Sequence, residues 1–188
     1  FNLAVPMIDR HLNEERGAKV AIRTVDQEVT YAELAESVNR CGNALLGQGL
    51  TPGQRMLMIV KDCPEFIFLF YGAIKAGIVP VPLNTLLRAP DYQYMMADSG
   101  AAGLVYSPEY ADDVEVALEA SANKPGMVVA TEGEDGLVRL IEAASASLDP
   151  TPTTAESECF WLYSSGSTGR PKGTVHSHRD VLVNAEYY

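Results

Sequence analysis

The sequence predicts an α/β fold: a doubly wound, mainly parallel sheet with flanking helices. Two observations carry that prediction. Short apolar runs of strand type alternate with helix-period segments almost throughout the chain, the pattern of repeated βαβ units. One run, 55–60 (RMLMIV), is apolar with almost no polar interruption, as a strand buried on both faces must be.

The elements follow in order. Residues 7–13 read as a short amphipathic helix, and 19–24 and 27–30 as two short strands joined by a tight turn at Val25 and Asp26. Thr30 opens a helix, because Glu33 stands at capping-box spacing from it. Leu34, Val38, Cys41, Leu45 and Leu46 continue at helical spacing until Gly47 and Gly49 end the helix. After the 55–60 strand, Pro64 starts a helix that stops at Gly77. Residues 78–83 form a strand whose Pro80 and Pro82 assign it to an edge or a strand end. A helix at 91–98, a strand at 103–106, an acidic helix at 111–120 and a strand at 127–130 complete the body. LDPTPTT then opens a linker over 148–155, dividing an α/β body (1–147) from a unit at 156–188. That unit holds a strand (159–163, CFWLY), a Ser/Gly loop, a basic His-containing hairpin or turn, and the opening of a helix. A chain that begins at Phe1 and stops inside a helix is expected to be a fragment.

Composition narrows the function classes. Apolar residues make up 47% and charged residues 21% of the 188, the balance of a globular domain with one well-buried core. A net charge of -11 repels phosphate backbones and argues against general nucleic-acid binding, though a local loop can still bind a nucleotide. The three cysteines, Cys41, Cys63 and Cys159, form no CxxC pair; they read as small buried filler in a reducing cytoplasm, not as a disulfide framework or zinc site. No stretch reaches the roughly 18 apolar residues of a membrane span, so no membrane partner is expected.

The chemistry is carried by Tyr163-Ser164-Ser165-Gly166-Ser167-Thr168-Gly169-Arg170-Pro171-Lys172-Gly173. The segment follows an apolar strand. Gly166 and Gly169 let the backbone bend sharply and approach a ligand. Successive N–H groups can form an anion-binding concavity, the hydroxyls of Ser164, Ser165, Ser167 and Thr168 add donors, and Lys172 adds a cation. Such a set suits a polyphosphate. It is not a Walker A loop, since Arg170 and Pro171 separate Gly169 from Lys172, and it is no G-x-G-x-x-G fingerprint. Read without context it could be a solvent-exposed hairpin loop.

Y-S-S-G-S-T-G-R-P-K-G resembles the phosphate-binding signature of adenylate-forming enzymes: acyl-CoA synthetases, adenylation domains and luciferases. The resemblance extends along the whole chain, through TYAEL, VNRCGNAL, GAIKAGIVPVPLNTLL, DYQYMMADS, CFWLYSSGSTGRPKGTVHSH and the terminal AEYY. These segments look most like benzoate–CoA ligases and their hydroxybenzoate relatives. The resemblance implies the N-terminal part of the large domain of an AMP-forming acid–CoA ligase. Its substrates would be an aromatic carboxylate, ATP with Mg²⁺, and coenzyme A; a homodimer is compatible with it. It also implies that Ser164, Ser165, Gly166, Ser167, Thr168 and Gly169 wrap the β- and γ-phosphates. Lys172 would be the catalytic cation on the leaving pyrophosphate, or else a cation that anchors the loop. The acyl pocket, the ribose- and Mg²⁺-binding segments, the hinge and the C-terminal lysine of the family have no counterpart here, so the 188 residues alone are expected to form no thioester. A nucleotide-binding remnant and a domain that loads a carrier protein stay open as alternatives.

Other residues carry weaker signals. His176 and His178 would share one face of a strand and serve as hydrogen-bonding residues near the loop, since no third ligand makes them a metal site. His11 reads as a surface residue. Phe66, Phe68, Phe70 and Tyr71, like Met95 and Met96, read as core packing.

Overall fold

The computed structural model describes residues 1–165 and 169–187. Near the N-terminus one π-type turn, Val5–Asp9, runs into α1 (Arg10–Asn13). β1 (Val20–Arg23) and β2 (Glu28–Thr30) pair as an antiparallel hairpin. α2 (Tyr31–Gly47) starts at the expected capping box. The Thr30 hydroxyl accepts from the Glu33 N–H at 3.3 Å, and the Glu33 carboxylate accepts from the Thr30 N–H at 2.8 Å. Two donors that the first helical turn would orphan are thereby satisfied.

The body follows the α/β pattern. β3 (Arg55–Ile59), α3 (Pro64–Lys75), β4 (Val79–Pro82), α4 (Ala89–Ser99), β5 (Gly103–Tyr106), α5 (Ala111–Ala120) and β6 (Met127–Ala130) build a four-stranded sheet, all parallel, in the order β4-β3-β5-β6. β3 is central, and its side chains divide by the period-two rule. Met56, Met58 and Val60 join Cys41, Leu45, Leu69 and Ala73 of α2 and α3. Leu57 and Ile59 join Tyr92, Met95 and Met96 of α4 and Val114 and Ala117 of α5. Helices thus cover both faces, as a parallel sheet requires. Each wholly buried aliphatic side chain here contributes about 2 kcal/mol. Pro80 and Pro82 lie on β4, one of the two outer strands of this sheet, where a missing N–H is tolerated.

Two elements differ from expectation. α4 begins at Ala89, with Pro90 in its first turn, where proline's fixed φ suits a helix. α6 (Leu137–Ala143) was not foreseen; at seven residues it is too short for a strong periodic signal, and Leu137 anchors it in the α2–α3 side of the core.

α2 and α3 cross at very short range. A Cβ on Gly72 would stand 2.9 Å from both the Cys41 Cβ and the Val38 carbonyl oxygen, and one on Gly42 would stand 2.8 Å from the Gly72 carbonyl oxygen. Outside these helices runs the proline-rich segment. Asn39 donates to the Ala146 carbonyl at 2.9 Å, Asn43 to those of Ser145 and Ser147 at 2.8 Å each, and the Thr151 N–H to that of Lys75 at 2.8 Å. The segment has no ladder of its own, so these bonds satisfy three of its carbonyls and one of its N–H groups.

β7 (Glu158–Ser164) and β8 (Lys172–Ser177) form an antiparallel hairpin, followed by α7 (Asp180–Tyr187). β7 packs beside β4, and Ser164 and Ser165 lie by the carboxyl end of β4.

Candidate functional site

The Ser/Gly segment is the loop of the β7–β8 hairpin. Its base is closed by register pairs: Ser164 stands opposite Lys172, and Tyr163 opposite Gly173. Gly169 has φ +113°, a conformation that strains any side-chain-bearing residue. Ser164 and Ser165 line a cleft with Pro82, Asn84, Leu87, Met95, Tyr163 and Pro171. The cleft lies where β4 ends and the chain turns toward α4, outside the carboxyl end of a parallel strand, where open α/β sheets place their ligands. Lys172 is exposed on β8, and among the described residues its ammonium makes no ion pair. Gly166, Ser167 and Thr168 lie outside the described residues. The structure thus brings together Ser164, Ser165 and Lys172 of the predicted set.

Three aromatic contacts seat this hairpin. The Tyr163 hydroxyl donates to the Asp98 carboxylate at 2.6 Å. The Tyr94 hydroxyl donates to the Pro171 carbonyl at 3.0 Å. The Arg170 guanidinium lies 5.3 Å from the centre of the Tyr94 ring, within cation–π range. Burial and the bond to Asp98 both push the Tyr163 phenol well above its ordinary range, so at neutral pH it is a donor. Asn84, Tyr94 and Asp98 were not singled out from sequence, and Tyr163 was named only as the first residue of the loop segment. For Asn84 a signal existed, its place just past a parallel strand.

The histidines are placed differently from expectation. β8 ends at Ser177, so only His176 is on the strand, and both histidines sit at the end of the hairpin away from the Ser/Gly loop. His176 stacks on Phe160 with ring centres 4.7 Å apart and lies 3.7 Å from the Asp180 carboxylate. His178 is buried, and its Nδ1 accepts from the Leu3 N–H at 3.1 Å. Burial lowers its pKa from the ordinary value, which keeps the ring neutral. No group of three or more His, Cys, Asp or Glu side chains converges on a metal-sized point among the described residues. His11 stacks on Tyr31 at 3.8 Å.

The cysteine thiols are held protonated. Cys41 and Cys159 are buried; burial pushes the Cys159 thiol up to about 12 and, with a hydrogen bond to Glu65, the Cys63 thiol up to about 11. Phe66, Phe68 and Phe70 pack on the α2–α3 side of the core, and Met95 and Met96 are buried on the other.

A parallel doubly wound sheet flanked by helices is the fold of the N-terminal domains of adenylate-forming enzymes, and the chain belongs to the family described as AMP-binding enzyme, which it matches over residues 8–188. Among curated proteins it is similar to the benzoate–CoA ligase of Thauera aromatica, at 44% identity over all of this chain and 36% of that one. Among solved structures it resembles a benzoate CoA ligase from Burkholderia xenovorans (35% identity, TM-score 0.89, all of this chain and 37% of that one). It also resembles an anthranilate CoA ligase in complex with anthranoyl-AMP (30% identity, TM-score 0.92, all of this chain and 36% of that one). The chain therefore spans little more than a third of the length of these relatives and corresponds to their N-terminal portion.

Proposed function

We propose that this chain is the phosphate-binding N-terminal portion of an AMP-forming acid–CoA ligase that activates benzoate or a close aromatic carboxylate. One observation carries the reading: a Ser/Gly/Lys hairpin loop, closed at its base by the Ser164–Lys172 pair over the β4 cleft, in a chain 44% identical to a benzoate–CoA ligase. In the first step a carboxylate oxygen forms a bond to the α-phosphorus of ATP while the bond to the β-phosphate oxygen breaks, giving acyl-adenylate and pyrophosphate. In the second, the thiol of coenzyme A adds to the acyl carbon, loses its proton, and expels AMP.

The hydroxyls of Ser164, Ser165, Ser167 and Thr168 and the backbone of Gly166 and Gly169 take the β- and γ-phosphates. Lys172 neutralises the charge that develops on departing pyrophosphate, a preorganised electrostatic contribution. Mg²⁺ would arrive with ATP and be held mainly through phosphate oxygens, which suits a hard cation that keeps much of its water. The reading places the enzyme in the cytoplasm, with no nucleic acid as partner, and admits a homodimer.

The test is carboxylate-dependent ATP–pyrophosphate exchange by the intact gene product with benzoate, 4-hydroxybenzoate, a medium-chain fatty acid and no acid. Exchange should require an aromatic acid and fall about 10²-fold in Lys172→Ala. Exchange with the fatty acid alone would discard the aromatic assignment, and none with any acid would discard the ligase. The 188 residues alone should form no benzoyl-CoA.

A further inference from the structure

Both ends of the phosphate loop are held by one helix. Tyr163, the last aromatic before the loop, donates to Asp98 at 2.6 Å, and Pro171, just before β8, accepts from Tyr94 at 3.0 Å. Tyr94 and Asp98 are four residues apart on α4 and so lie on one face of it. The Tyr94 oxygen is also 3.4 Å from Asp98. A phenol has one proton to give, and the shorter contact to Pro171 takes it. The Tyr94 ring then receives the Arg170 guanidinium.

The opposite face of α4 is packed into the core. Tyr92, Met95, Met96 and Ser99 are buried, Met95 and Met96 beneath the sheet side of the core, and the Tyr92 hydroxyl donates to the Asn84 carbonyl at 3.2 Å. A two-stranded hairpin is marginally stable alone and takes its direction from what it packs against. Here β7 is further steadied by Trp161, whose ring centre is 5.8 Å from the Arg55 guanidinium. Gly173 packs tightly beside these rings: a Cβ there would stand 3.0 Å from the Trp161 ring and 3.3 Å from that of Tyr163.

We propose that α4 is a positioning clasp for the phosphate loop: Asp98 and Tyr94 hold the strand ends that carry it and so set its affinity for the phosphates of ATP. The inference rests on the reading of the loop as a phosphate site. Neither residue touches the reacting atoms; each acts through Tyr163, Arg170 or Pro171. Asp98 is exposed, so its loss leaves the core packing of α4 intact.

The experiment compares wild type, Asp98→Ala, Asp98→Asn and Tyr94→Phe in the intact gene product, with two readouts. The first is hydrogen exchange of peptides spanning 163–173, which needs no activity. The second is the split between KM for ATP and kcat in pyrophosphate exchange. A hydrogen bond to a carboxylate lost at a positioning site corresponds to about a tenfold change. Asp98→Ala should therefore raise KM for ATP about tenfold with kcat within about twofold, and speed exchange in the 163–173 peptides but not in those of β3. Asp98→Asn, which keeps an acceptor, should restore most of both. Unchanged exchange in 163–173 would overturn the clasp, as would faster exchange with KM for ATP unaltered. Wild type without acid-dependent activity would instead sink the ligase reading, and with it the role of the clasp in ATP affinity. The hydrogen-exchange comparison would still separate that failure from the absence of a clasp.

Discussion

Gly72→Ala adds one methyl group where α2 and α3 have no room for it. The new Cβ would meet the Val38 carbonyl oxygen and the Cys41 Cβ at 2.9 Å, and the Gly42 amide nitrogen at 3.0 Å. Ordinary contacts of such atoms are near 3.5 Å or more. Two of the three are backbone atoms of α2, so relief requires the helices to part. Over-packing of this kind costs about 1–3 kcal/mol, and replacing glycine within a helix returns about 0.5–1 kcal/mol. The net expectation is a loss of about 1–2 kcal/mol, a fall of roughly 2–8 °C in Tm for a chain of this size. Gly47→Ala is the control, because a Cβ at this last residue of α2 meets nothing within 4 Å; it should be neutral or slightly stabilising. Thermal and urea denaturation of the purified chain, followed by circular dichroism, measures both. Gly72→Ala as stable as wild type would refute the close-crossing argument, and so would equal damage from Gly47→Ala.

Two further outcomes follow from buried charge. Lys75 and Asp9 form a 2.8 Å ion pair in which the lysine side chain is only 4% exposed. Asp9→Asn, which strands the ammonium, should cost about 3 kcal/mol, whereas Lys75→Met in the Asp9→Asn background should recover most of it; a urea-denaturation cycle that finds the two single changes harmless would refute this. Neutral His178 must take up a proton as it unfolds in mild acid. With its folded pKa below the ordinary 6.5, its contribution is fully present above pH 6.5 and is lost as the pH falls from there through the lowered value. The slope is at most about 1.4 kcal/mol per pH unit. The drop in urea midpoint between pH 7 and 5.5 should be smaller in His178→Gln; equal drops would show that the ring does not govern it.

The parts of the fold that were legible in the sequence are those where one short segment holds the whole signal. β3 announces burial on both faces through RMLMIV, Thr30 and Glu33 form a cap within one turn, and two prolines mark β4 as an outer strand. α6 escaped because seven residues hold too little periodicity. The histidines were misplaced because a strand end falls between them, and strand ends depend on pairing rather than on local sequence. At the site, the loop is a contiguous string and could be read directly. Its supports could not: Tyr163 and Asp98 are 65 residues apart, and Tyr94 and Pro171 are 77 apart. Nothing in either local sequence reports the other.

The same division bears on how, on the proposed reading, an acidic chain would house a site for a polyanion. At a net charge of -11 the long-range field repels ATP, so binding must come from short-range donors that act within a Debye length of about 8 Å. Such donors are strong only if they are held in place before the ligand arrives, because ordering a free loop would consume much of what its contacts return. A sheet edge, a hairpin closed by Ser164 and Lys172 and a helix face bonded to Tyr163 and Pro171 hold the strand ends that flank the loop. Arg170 fits the same logic: over the face of Tyr94 rather than against a carboxylate, it keeps its positive charge beside the loop.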